Sequence, residues 1–288
     1  MSSGADAQVS IEYDASRDAL NHPERRPTIF GEGTTLTLSG LAVEAARLAY
    51  LRAESDAGES RRLGEALHRA GFGAPATFFD LATGAYAYAS LRPGDGLAML
   101  AFRGAQPEDP KNVMADLASV PAPWAGGHVH AGFCRAAESL ETPVLQWLAN
   151  GASHRRRLLL CGHSLGAAMA TIFAALVEPT HVITIGSPRV GDMDFVGSLP
   201  AQAMTRIVNC ADIVPTLPPR ITPYHHVGHL LYIDRDGLRH ENPDTPFVLR
   251  DRIAGQTEYA ARLVAEPCAL PLRSLADHSP ANYLRAFV

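Results

Sequence analysis

Four cysteines in 288 residues, at positions 134, 161, 210 and 268 and without a CxxC pair, give no basis for a disulfide framework or a thiolate metal site. We expect free thiols, with Cys161 and Cys210 buried in or beside apolar stretches. No apolar run approaches the ~20 residues needed to span a membrane. The opening MSSGADA has neither a basic start nor an apolar core, so it does not read as a secretory signal, and a cytoplasmic location is expected. Charge is scarce and balanced: 25 Lys and Arg stand against 30 Asp and Glu, for a net charge of −5. The basic triplet Arg155-Arg156-Arg157 leads into an apolar strand, so nucleic acid is not an expected partner. Internal repeats and low-complexity segments are also missing. What remains is a chain with 47% hydrophobic residues and the length of one large α/β domain.

Against that background one stretch carries chemistry. Gly162-His163-Ser164-Leu165-Gly166 follows the apolar run Arg157-Leu158-Leu159-Leu160-Cys161 and runs into the helix-forming segment Ala167 to Leu176. G-x-S-x-G arises often by chance, but rarely between a buried strand and an apolar helix. A serine in that corner sits on a tight turn with its hydroxyl exposed and the following N–H facing the reacting centre. Glycine flanks it because a Cβ would crowd the turn. The bland alternative is a serine that caps the helix. The setting favours a nucleophile at Ser164.

Residues 1–33 are polar and broken by Pro23, Pro27, Gly31 and Gly33, which reads as a loosely ordered extension ahead of a single domain at 34–288. Leu41, Val43, Ala46, Leu48, Ala49 and Leu51 have the spacing of a half-buried helix. Residues 76–90 read as a hairpin turning at Thr83-Gly84, and residues 97–102 as a central strand. A long helix over 131–150, strands at 181–185, 206–208 and 230–233, and a C-terminal helix opened by Pro280 complete the pattern. Strands alternating with helices predict a mostly parallel central sheet with helices on both faces.

A serine hydroxyl needs a base within hydrogen-bonding reach and an acid to orient that base. Acid and then histidine follow the serine in such folds. Of the twelve histidines, that order leaves His181, His225, His226, His229, His240 and His278. Several segments then line up in order: Ala101-Phe102-Arg103-Gly104, His130-Ala131-Gly132-Phe133, the elbow, Gly186-Ser187-Pro188-Arg189-Val190-Gly191, Asn209 to Pro215, Tyr224-His225-His226-Val227-Gly228 and Asp277 to Tyr283. Over residues 96–286 the chain resembles the class 3 (fungal-lipase-like) lipases of the α/β-hydrolase fold. Residues 1–95 match only loosely.

The resemblance implies Asp212 as the acid and His278 as the base. Asp212 also lies just past a predicted parallel strand, where open α/β sheets place their sites. Asp192, in its Pro188-to-Gly191 turn setting, reads as a cap for the next segment. The resemblance further implies an oxyanion hole from the amides of Leu165 and Ala105, with no metal and no cofactor. Position 105 departs from the family, which carries Ser or Thr there; alanine keeps the amide and loses the hydroxyl. Residues 106–127 occupy the place of the family's lid, and a fixed surface loop is the rival reading. The implied activity is serine carboxylester hydrolysis through an acyl-serine intermediate. Acylglycerol-type esters at a lipid–water interface are the expected substrates, and shorter or polar esters, or phospholipids, the alternative. A non-catalytic lipid-binding protein with a residual triad is the rival from another class. The complete Ser, Asp and His set argues against it, and Ala105 argues for it.

Overall fold

The computed structural model describes residues 11–31, 36–105, 120–263 and 268–288. The chain begins with a short helix α1 (Arg17–Asn21), then α2 (Leu38–Leu48) and α3 (Ala57–Arg69). A hairpin of β1 (Ala76–Phe79) and β2 (Tyr86–Arg92) leads to β3 (Leu97–Phe102). A second hairpin, β4 (Pro121–Trp124) and β5 (Gly127–His130), precedes the long α4 (Ala131–Asn150). The centre of the molecule is β6 (Arg157–His163), α5 (Leu165–Phe173), β7 (His181–Ile185), α6 (Met193–Ser198) and β8 (Met204–Asn209). It ends with β9 (His229–Ile233), β10 (Arg239–Glu241), α7 (Thr245–Leu263), α8 (Arg273–Ala276) and α9 (Pro280–Leu284).

Among the described residues, eight strands form one sheet in the order β1-β2-β3-β6-β7-β8-β9-β10. β3, β6, β7, β8 and β9 run parallel, while β1, β2 and β10 attach antiparallel at the two edges. Both faces of the sheet are covered, so its central strands are apolar throughout. Alternation decides which side each residue serves. Leu158 and Leu160 of β6 join Leu100 and Phe102 of β3 under α4 and α5. Leu159 and Cys161 join Met99, Ala101, Ile183 and Ile185 under α2. The expected architecture, a mostly parallel sheet with helices on both faces, is the one observed. All four cysteines are free, three of them buried.

The N-terminal extension differs from expectation. From residue 11 to 31 it is packed rather than loosely ordered. Ile29 and Phe30 are buried against α2, and Arg47, fully buried in α2, donates to the carbonyls of Pro23 and Arg26 at 2.6 and 3.1 Å. Glu44 accepts from Thr28 Oγ1 at 2.6 Å and pairs with Arg47 at 2.7 Å. Polar, proline-broken sequence is ordered here because its backbone groups find partners on a distant helix. Such a buried ion pair destabilises strongly if either member is removed.

The span 106–127, expected as a lid or surface loop, is described only from residue 120. Residues 106–119 lie outside the described residues. The remainder forms β4 and the turn into β5, with Pro121 opposite His130 and Trp124 opposite Gly127.

Candidate active site

The parallel strands end on one edge of the sheet, and the residues that follow them converge. Ser164 follows β6, Gly186 follows β7, Asp212 lies three residues past β8, and Gly104 lies two past β3. Ser164 adopts φ +58° and ψ −123°, a backbone conformation that L-residues avoid unless the surroundings hold it. The hold is visible. Ser164 N–H donates to Ile185 O at 2.9 Å, and its carbonyl accepts from Ala167 and Ala168 at 3.0 and 3.2 Å. Close approach also explains the two flanking glycines. A Cβ on Gly162 would lie 2.3 Å from Gly166 O, and one on Gly166 would lie 2.2 Å from Phe102 O. The hydroxyl caps nothing, which removes the helix-cap alternative.

His278 Nε2 stands 3.0 Å from Ser164 Oγ, and His278 Nδ1 stands 2.9 Å from Asp212 Oδ2. The carboxylate only accepts, so Nδ1 carries the hydrogen and Nε2 presents its lone pair to the serine hydroxyl. Asp212 is fully buried, and both its oxygens are engaged. Oδ1 accepts from Val214 N–H at 2.9 Å, and Oδ2 accepts a second bond from Tyr283 Oη at 2.5 Å. Burial pushes the Tyr283 phenol well above its ordinary range, with the Asp212 charge adding to the shift, so it stays a donor. Arg252 of α7 donates to the carbonyls of Ala211 and Asp212 at 3.2 Å each, which ties α7 to the acid loop. The serine, base and acid are thus joined by one continuous chain of hydrogen bonds. That geometry can abstract the serine proton and hand it to a leaving group.

Leu165 opens α5, so its N–H has no intrahelical acceptor and is free to face the serine side. Gly104 packs on the elbow, since a Cβ built there would lie 3.2 Å from Ser164 Cβ, and Ala105 follows it half-buried. Asp192 N-caps α6, accepting from Phe195 N–H at 2.9 Å. His163 is buried against the base, with ring centroids 4.5 Å apart. Its burial, and then the neighbouring His278, push its imidazole well below the usual range and keep it neutral. Sequence reasoning missed Tyr283 and Arg252. Tyr283 lies five residues past His278 in a segment already singled out, but spacing alone does not say that its hydroxyl reaches Asp212.

His226 donates from Nε2 to Pro215 O at 2.8 Å, bracing the loop past Asp212. Burial, and then the Arg206 guanidinium, push its imidazole down to about 3. The unfolded chain therefore takes up a proton below about pH 6.5 that the folded chain refuses. Stability is full above pH 6.5 and declines as pH falls toward 3, by at most about 1.4 kcal/mol per pH unit for one such group. Urea midpoints measured from pH 7.5 to 5 should fall less steeply in His226→Gln, which keeps a donor for Pro215. Equal slopes in the two proteins would contradict this.

The family model for Lipase (class 3) matches residues 99–222. A secreted mono- and diacylglycerol lipase of Fusarium solani is 35% identical over 118 residues, covering 38% of this chain and 35% of that protein. A phospholipase A1-II of Oryza sativa is 39% identical over 88 residues, covering 27% of this chain and 22% of its own. The matched stretches thus span about a third of these relatives or less. Among solved structures, the Rhizomucor miehei lipase propeptide complex superposes with a TM-score of 0.56 at 22% identity, over 78% of this chain and 82% of its own. That likeness places the sheet, the elbow and the acid loop in an α/β-hydrolase fold. Over residues 99–222, which hold the elbow and the acid loop, this chain is similar to the class 3 lipases.

Proposed function

We propose that the chain is a serine carboxylester hydrolase acting on acylglycerol-type esters through an acyl-Ser164 intermediate. The observation that carries the reading is the unbroken hydrogen-bond chain from Ser164 Oγ through His278 to the buried Asp212, at 3.0 and 2.9 Å. In the reaction, Ser164 Oγ bonds to the acyl carbon as its proton passes to His278 Nε2. Asp212 holds the imidazole in the required tautomer and stabilises the imidazolium. The carbonyl oxygen becomes an oxyanion held by the amides of Leu165 and Ala105, each such donor supplying roughly 3 kcal/mol in the transition state. The C–O bond to the alcohol breaks as His278 returns its proton to the leaving alkoxide. Water then repeats the sequence on the acyl-serine, releasing the carboxylic acid and restoring Ser164 Oγ–H.

Work at a lipid–water interface fits apolar side chains exposed around the acid loop. Ile221 lies on the chain leaving that loop, and Leu249 and Ile253 lie on α7, whose Arg252 holds it. The names of the relatives point to acylglycerols and phospholipids, and the substrate class follows from them only as part of this proposal. Turnover of p-nitrophenyl esters from short to long acyl chains tests the reading. Hydrolysis that persists or rises with chain length is expected. Hydrolysis confined to the shortest esters would favour the esterase alternative, and none at any length would sink the proposal.

A further inference from the structure

Tyr50 lies two residues past α2, about fifty positions before the segment that matches the family, yet its hydroxyl reaches the site. Its Oη is 2.7 Å from His163 Nδ1, and His163 Nε2 is 2.8 Å from the backbone carbonyl of His278. A carbonyl only accepts, so Nε2 carries the hydrogen, Nδ1 is bare, and the Tyr50 hydroxyl must donate to it. The Tyr50 oxygen in turn sits against the backbone of Gly104. Gly104 is held tightly there: a Cβ on it would lie 2.2 Å from Tyr50 Oη and 2.8 Å from His163 O. Tyr50 and His163 are 4% and 2% exposed, so water cannot replace either partner. From this we infer that Tyr50 is a positioning residue that fixes the oxyanion turn at Gly104-Ala105 and locks it, through His163, to the backbone of the general base.

The inference rests on the hydrolase reading and names what holds that site together. The relay has a single direction, set by the His278 carbonyl at one end, and Tyr50 Oη is seated against Gly104 at the other. Removing the Tyr50 hydroxyl leaves the buried His163 Nδ1 unpaired, and the turn loses the contact that seats Gly104 and, with it, the Ala105 N–H. Tyr50 touches no reacting atom. Its effect belongs to the transition state, because the oxyanion charge develops only there.

Tyr50→Phe keeps the ring and its packing while deleting the hydroxyl. On a soluble short-chain ester, kcat should fall about 10-fold, short of the 10²–10³-fold seen when an oxyanion donor is deleted outright. KM should stay within about two-fold. Affinity for a trifluoromethyl ketone, whose hemiketal with Ser164 carries the oxyanion, should weaken in proportion to kcat/KM. His163→Gln keeps a donor for the His278 carbonyl and moves the acceptor away from the Nδ1 position that Tyr50 Oη faces. It should reproduce the Phe variant, and the double variant should be no worse than the worse single one. If Tyr50→Phe does not fold, His163→Gln alone decides. Amide hydrogen exchange at Gly104 should rise at least about 10-fold in either variant. That readout needs no turnover, so a wild type inactive on esters would defeat the hydrolase reading while exchange still judged the relay. A lowered melting temperature with kcat and ketone affinity unchanged would overturn the inference, as would unchanged exchange at Gly104 or a loss confined to KM.

Discussion

Ser164→Ala is expected to abolish ester hydrolysis, lowering kcat by about 10⁴-fold or more, in a protein that still folds. The two halves of that result have separate physical causes. Activity is lost because alanine leaves no hydroxyl at the point that Ser164 Oγ occupies, 3.0 Å from His278 Nε2. The fold survives because the elbow is held by backbone bonds, from Ser164 N–H to Ile185 O and from Ala167 and Ala168 to Ser164 O, and not by the side chain. Alanine at φ +58° keeps the strain that serine already bears. The measurement is kcat on a short-chain ester beside a thermal melt. A folded variant keeping a tenth of wild-type turnover would remove Ser164 from the chemistry.

Asp212→Asn is expected to lower kcat by about 10⁴-fold at neutral pH with little change in structure. The surroundings decide which way the new amide points. Oδ1 of Asp212 accepts from the fixed backbone N–H of Val214, so the amide nitrogen cannot take that position. It must replace Oδ2, where the Tyr283 hydroxyl can rotate to accept from it. There it donates to His278 Nδ1 and drives the ring proton to Nε2, which then faces Ser164 as a donor and cannot take its proton. Asp192→Asn is the contrast. Asp192 caps α6 and pairs with His128 away from the triad, so kcat should move by less than about two-fold. If the two substitutions hurt in the reverse order, the acid has been misassigned.

What the sequence made legible is what local signals encode. Strand 181–185 and helix 131–150 fall where apolar pattern, Gly151 and polar flanks place them. The elbow announces itself because its glycines, strand and helix are contiguous. The helices α3 and α7 were not legible, and the reason is visible in α7. Its buried positions Asp251, Gly255 and Tyr259 repeat every four residues, as a helix requires, but two of the three are not apolar. Asp251 is buried because it accepts from Tyr232 Oη at 2.8 Å, a contact that no periodicity reveals. The packed N-terminal stretch was missed for the same reason: Tyr13 donates to Asp277 at 2.9 Å, across 264 residues. Ser164, Asp212 and His278 were reachable from the order of motifs. Tyr50 and Tyr283 were not, because each acts through a hydroxyl whose partner is distant in sequence and set only by the fold.

One measurement bears most directly on the claim that Ser164 is an activated nucleophile: mass mapping of the protein after exposure to a fluorophosphonate. The phosphonyl group bonds only to a serine whose proton is being withdrawn, with fluoride as the leaving group. The account predicts one adduct per chain, on the peptide holding Ser164. Labelling should slow in step with turnover in Asp212→Asn and be lost in Ser164→Ala. An intact, folded protein that takes no label, or takes it on another residue, would contradict the account and favour a lipid-binding protein carrying an idle triad.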